Sequence, residues 1–276
     1  MAIVTFWSER KKEVGQTATA IAIATQMAIE HNYKILLIST NNVKELEKAF
    51  WDSEKKRRGL AGIFENTKKV NIDSGIQGVV KAAISNKLTP EIITNYTRIV
   101  LKDRLEVMDG YGGEEYETIY EQYPEIILNA SKYYDLVMVD LNREIQNEFT
   151  ERILKHSDVI VYGINQNKAS VEEYMKSKNE GFLNNKKNIV NYIGRYDRFS
   201  KYNSKNIARY LKTGKDMCHL SYNTLLNDCC DEGTVAELFL NLKPMKSDDK
   251  SIVFYNEVKQ LSESIIYKIQ ELELRI

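Results

Sequence analysis

The feature that most constrains this chain is a repeated alternation: a short apolar run rich in β-branched residues, then a longer stretch with helical period. In the plainest run, Asp135-Leu136-Val137-Met138-Val139-Asp140, every inner residue is apolar, as in a strand buried on both faces. Similar runs at 3–7, 33–38, 105–108, 159–164 and 188–193 predict further strands. Helical spacing predicts helices over 15–31, 43–51, 75–86, 114–133, 149–156, 171–178, 204–211 and 251–276. Pro90, placed where no amide donor is needed, marks another helix start. Strands that alternate with helices and lack hairpin signals predict an α/β fold with a mostly parallel sheet covered on both sides. No Pro/Gly-rich linker or repeat divides the chain, so one domain is expected over 1–276.

Composition narrows what such a domain can do. Lysine plus arginine number 39 and aspartate plus glutamate 39, so no global field holds the chain on nucleic acid or anionic lipid. The 17 tyrosines are scattered rather than interleaved with basic residues, which argues against a nucleic-acid stacking platform. The basic run Lys55-Lys56-Arg57-Arg58 reads as a solvated helix end, with DNA or an acidic partner as the weaker alternative. Cys218, Cys229 and Cys230 have neither a disulfide framework nor metal-ligand spacing. No run approaches the roughly 18 apolar residues of a membrane span, so a soluble cytoplasmic protein is expected. The carboxy-terminal stripe of Val258, Leu261, Ile265, Ile269 and Leu272 faces a side bearing Glu263, Glu271 and Glu273. That favours packing on the sheet or on a second subunit over a membrane surface.

The first strand leads into Arg10-Lys11-Lys12-Glu13-Val14-Gly15-Gln16-Thr17 and then into a helix. Strand, turn and helix in that order form the setting of a phosphate-binding loop, in which the first helical amides point at the anion. Asp140 ends the most apolar strand, where a helix cap or turn residue is the plain alternative to a role in a site.

The chain resembles the MinD/ParA family of deviant-Walker P-loop ATPases, whose loop reads Gly-Lys-Gly-Gly-Val-Gly-Lys-Thr. On that pattern Lys11 takes the place of the signature lysine that reaches a dimer partner's nucleotide, and Thr17 that of the magnesium-binding hydroxyl. Residues 34–41 resemble the family's second strand, 134–140 its Walker B strand and 159–170 the strand and helix that follow. His219-Leu220-Ser221-Tyr222-Asn223-Thr224 and Gly233-Thr234-Val235-Ala236-Glu237-Leu238 resemble its late loop and helix. Residues 75–110 look most like the TadZ/CpaE-type members that position pilus and secretion machines. The resemblance implies that ATP or ADP, where bound, lies over Lys11, Lys12, Val14, Gly15, Gln16, Thr17 and Ala18 with Asp140. It implies that magnesium, where bound, sits at Thr17 and Asp140.

The departures from the pattern bear on the chemistry. The Walker lysine is Gln16, which can donate a hydrogen bond but brings no charge. Two glycines are Lys12 and Glu13, which restrict positive φ, and Glu13 is expected to bring negative charge toward an anion site. The switch aspartate falls at Ser39, with Asn41 at the second acidic position, and Gly194 replaces a base-recognising asparagine. Losing one charge-stabilising group commonly costs about 100-fold in rate. No catalytic residue is therefore assigned. The expectation is a degenerate ATPase-fold homodimer, a scaffold or localisation factor with protein partners in an assembly such as pilus or secretion machinery. The alternative is an active ATPase that partitions DNA or positions cell machinery.

Overall fold

The computed structural model describes residues 1–41, 44–51, 75–113, 116–142, 148–179, 183–184, 188–213, 217–243 and 250–274. The basic run at 55–58 lies outside them. Eight strands form one sheet: β1 (Ala2–Trp7), β2 (Ile35–Ser39), β3 (Arg98–Leu101), β4 (Leu105–Met108), β5 (Leu136–Asp140), β6 (Val159–Ile164), β7 (Ile189–Tyr196) and β8 (Cys218–Ser221). Their order is β3-β4-β2-β5-β1-β6-β7-β8. Every neighbouring pair is parallel except β3 and β4. The central strands β1, β2, β5 and β6 are buried at every position, which explains why they read as continuous apolar runs.

The antiparallel edge departs from the sequence reading, which gives no hairpin. Its turn is Lys102-Asp103-Arg104, with Asp103 in the left-handed region at φ 59°. The usual glycine signal is absent because aspartate is among the residues that tolerate that conformation.

In chain order the helices are α1 (Lys11–Val14), α2 (Gln16–Glu30), α3 (Glu45–Phe50), α4 (Ile76–Ile84), α5 (Pro90–Ile93), α6 (Tyr116–Ala130), α7 (Glu148–His156), α8 (Lys168–Asn179), α9 (Ser204–Leu211), α10 (Thr224–Glu232), α11 (Val235–Leu242) and α12 (Lys250–Glu273). One sheet face packs against α2, α3, α10, α11 and α12, the other against α4, α6, α7, α8 and α9. Helix α2 is buried nearly all round, and its alanines at 20, 22, 24 and 28 let it lie close to its neighbours. Across it lies α12, whose Val258, Leu261 and Ile265 have no exposed surface. Burying each such side chain is worth about 1.5–3 kcal/mol. The carboxy-terminal stripe is thus spent on this core. No described helix is long and apolar enough to cross a membrane.

Parallel strands bring the ends of β1, β2, β5 and β6 to one edge, where the chain leaves the sheet at Ser8, Thr40, Leu141 and Asn165. Two tyrosines of α6 hold the end of β2 there: Tyr123 donates to the Ser39 carbonyl at 3.0 Å and Tyr116 to the Thr40 carbonyl at 2.8 Å. At the end of β4, Asp109 accepts from the amides of Leu46 (2.9 Å) and Glu47 (2.6 Å), capping α3. Burial pushes its carboxyl up to about 7, only partly offset by those two amides.

A carboxyl raised in the folded state binds a proton that the unfolded chain has released, so stability falls as pH rises from 3.8 through about 7. Asp109→Asn keeps an acceptor but removes the titration. The stability of the native chain relative to this variant should decline by about 2–3 kcal/mol between about pH 5 and about pH 8 in urea unfolding. Parallel pH profiles for the two proteins would refute the assignment.

Candidate functional site

The site is built where β1 ends. Ser8, buried, donates its hydroxyl to the Gly163 carbonyl of β6 at 2.9 Å and accepts the Arg10 amide at 3.0 Å. From there the chain does not open into a phosphate-cradling loop. Lys11 to Val14 form a helical turn in which the amides of Glu13 (2.9 Å) and Val14 (3.2 Å) both donate to the Arg10 carbonyl. Those amides are consumed internally. Lys11 opens α1, its side chain lying outside the described part, and Lys12 is exposed.

The turn is pressed onto the sheet by Val14, which is 1% exposed. A Cβ added to Gly194 of β7 would lie 2.2 Å from the Val14 carbonyl oxygen, and one added to Gly163 2.9 Å from the Val14 side chain. Gly194 therefore has a reason of its own: the backbone of α1 occupies the space that a base-recognising asparagine would need. Gly15 follows at φ 67°, ψ 39°, a left-handed geometry that turns the chain from α1 into α2.

Glu13 corrects the sequence reading. It does not approach an anion site but lies on the surface, accepting from Arg10 Nη1 at 2.9 Å and from Asn165 Nδ2 at 2.9 Å. Hydrogen bonding from Asn165 first, then from Arg10, lowers its pKa from the ordinary value. Arg10 in turn grips Glu173 of α8 through Nε (2.9 Å) and Nη2 (2.8 Å). The pair raises an already high guanidinium pKa, Glu173 more than Glu13, so α1 is tied to α8 by a bidentate fork.

The centre of the site is Asp140, which has no exposed surface. Gln16 Nε2 donates to its Oδ1 at 2.7 Å and also to the Leu141 carbonyl at 2.9 Å. With two acceptors facing that nitrogen, the orientation of the amide is fixed by its neighbours. Thr17 Oγ1 donates to Asp140 Oδ2 at 2.8 Å, and Asn41 Nδ2 donates to the same oxygen at 2.7 Å. Ser39 accepts the Asn41 backbone amide at 3.1 Å, so the two switch positions are bonded to each other. Gly110 lets the segment after β4 pass close behind, since a Cβ there would fall 1.9 Å from the Asn41 carbonyl oxygen.

Ala18 lines a hollow of about 70 Å³ with Gly15, Arg195, Ser221, Tyr222 and Asn223. Small-molecule pockets run about 300–1,000 Å³, so this one is too small for a nucleotide. Arg195 stands beside it with φ 48°, its side chain passing over Gly15.

Compared with solved structures, the chain matches a ParA family ATPase from Chlorobium tepidum at TM-score 0.65 and 15% identity, covering 97% of this chain and 98% of that one. It matches the septum site-determining protein MinD of Pyrococcus horikoshii, complexed with Mg-ADP, at 0.60 and 12%, covering 96% and 95%. It matches a chain of the MinC:MinD cell division complex of Aquifex aeolicus at 0.64 and 16%, covering 95% of each. This chain has the ParA/MinD fold. The sequence matches no protein-family model and no curated protein.

Against the ParA/MinD loop pattern, the residues do not fit a magnesium–nucleotide. The lysine position carries a neutral amide already spent on Asp140. Loop amides that would face phosphate close a helical turn. Gln16 Oε1 is a buried acceptor left without a donor. Gln16, Thr17 and Asp140, grouped by the sequence pattern, meet in the structure, whereas Asn41 as a donor and the Arg10–Glu173 clamp were not read from it. Residues 163 apart carry no sequence signal of their pairing.

Removing the shared acceptor leaves Gln16, Thr17 and Asn41 as buried donors in competition. Each unsatisfied buried group costs about 1–3 kcal/mol. Asp140→Asn should therefore lower unfolding free energy by about 2–4 kcal/mol in urea titrations. A change below about 0.5 kcal/mol would show that the carboxylate is not a structural hub.

Proposed function

We propose that this chain is a degenerate ATPase of the ParA/MinD type, one unit over 1–276, acting as a dimeric scaffold or localisation factor with weak or no ATP hydrolysis. The observation that carries this reading is the closed network in which Gln16 occupies the lysine position and is hydrogen-bonded to Asp140. Phosphoryl transfer in such folds depends on positive charge at the phosphates and on an acid that organises magnesium. Here the first is replaced by a neutral amide and the second is bonded to three protein donors.

What is left is a stable surface. The edge carrying α1, with Lys11 and Lys12, is the face proposed for self-association, and protein partners dock on the same rigid frame. A cytoplasmic assembly of the pilus or secretion kind is the proposed setting, on the resemblance of residues 75–110 to TadZ/CpaE-type members. The competing reading, a working partition ATPase, draws on the survival of Thr17 and Asp140 and on the magnesium-ADP held by the Pyrococcus MinD.

Turnover of magnesium-ATP separates the two. The native chain should release phosphate no faster than Asp140→Asn, and a Gln16→Lys, Glu13→Gly variant should be needed before nucleotide binding appears in calorimetry. Robust turnover by the native chain that Asp140→Asn abolishes would defeat the scaffold reading. The expected gap from an active enzyme is about 100-fold or more for each charge-stabilising group lost.

A further inference from the structure

On the sheet face opposite α2, helices α8 and α9 leave a groove of about 370 Å³ between them. Its floor is aliphatic: Val171 is 3% and Ile207 1% exposed. Its rim carries Lys168, Lys201, Tyr202, Asn206 and Tyr210. The volume falls within the range of about 300–1,000 Å³ that holds a ligand or a bulky side chain.

The wall between β7 and α9 is held in place by many bonds. Gln166 donates to the carbonyls of Asp197 and Tyr202, both at 3.0 Å, and accepts the Asp197 amide at 2.6 Å. Asn206 donates to the Lys201 carbonyl at 2.8 Å, and Asn203 caps α9. A wall fixed in this way loses little further freedom when a partner binds.

Charge sets the groove apart from the rest of the chain. Residues 195–212 hold Arg195, Arg198, Lys201, Lys205, Arg209 and Lys212 against Asp197 alone, in a chain whose totals balance at 39 and 39. Aromatic rings are interleaved with these cations: Phe199 is 82% exposed under the Arg198 guanidinium at 4.7 Å, Tyr210 is 55% exposed, and Lys201 lies 5.3 Å from the Tyr202 ring. The sequence reading of scattered tyrosines does not hold for this stretch. Of the acids on α8, Glu172 pairs with Lys168 at 3.5 Å and Glu173 is held by Arg10.

We propose that the α8–α9 groove docks an acidic peptide segment of a partner protein. One apolar side chain seats between the Tyr202 and Tyr210 rings above the Val171–Ile207 floor, and its flanking carboxylates face Lys168 and Lys201. Complementary charge selects the partner and speeds encounter, while the apolar anchor supplies most of the affinity. A nucleic-acid strand is the competing occupant, since its bases can stack on the exposed Phe199 and Tyr210 rings, and the oligonucleotide arm of the test tells the two apart. This site is independent of whether nucleotide binds at Gln16.

The test uses the full chain and three fluorescein-labelled probes: an acidic peptide with a central Leu-Phe pair, the same peptide with Ser-Ser there, and a single-stranded oligonucleotide of similar length. By fluorescence anisotropy the first should bind saturably, weaken with salt, and exceed the second by about tenfold or more. Lys201→Glu and Tyr210→Ala, both at exposed positions, should each lower its affinity about tenfold with an unchanged circular dichroism spectrum. No saturable binding of the first peptide, equal binding to the variants, or tighter binding of the oligonucleotide would each overturn the proposal.

Discussion

One buried carboxylate organises the functional edge of this protein. Asp140 ends the central strand with no water contact, and a buried acceptor must be matched by donors or it destabilises the fold. The donors come from two elements: Gln16 and Thr17 open α2, and Asn41 follows β2. Three segments distant in sequence therefore meet at one pair of oxygens. The position of α2, and with it the core helix of one whole sheet face, is referenced to this point.

The replacements around Asp140 are physically linked. Without a lysine at position 16, the carboxylate needs uncharged donors, and the Gln16 amide supplies two hydrogen bonds, one to it and one to the Leu141 carbonyl. An acid at position 41 would stand 2.7 Å from that oxygen and repel it, whereas Asn41 donates to it. The helical turn at α1 is held in the same way, since the amides of Glu13 and Val14 find their acceptor in the Arg10 carbonyl. The parallel sheet tolerates all this because its stability lies in buried strands that these residues flank but do not form.

The strands at the centre were readable because burial on both faces makes them continuously apolar, and α2 and α12 because their apolar surfaces are long. Shorter and half-exposed elements carried less signal. β8 has four residues with one fully buried, and β3 is partly exposed at an antiparallel edge turned by Asp103. The loop-to-helix change at α1 was hidden for a different reason: it depends on contacts with Gly163, Gly194, Asn165 and Glu173, more than 140 residues away. The residue types at 16, 17 and 140 were visible in order, but the direction of the Glu13 side chain was decided by Arg10 and Asn165 together.

The contact between Val14 and Gly194 narrows what can be substituted at this edge. With the α1 backbone seated on β7, any side chain at position 194 collides with it, and a lysine at position 16 gives up both amide bonds made by Gln16. A single change at either position therefore disturbs the packing or the hydrogen bonding of the turn before it can alter what the edge binds.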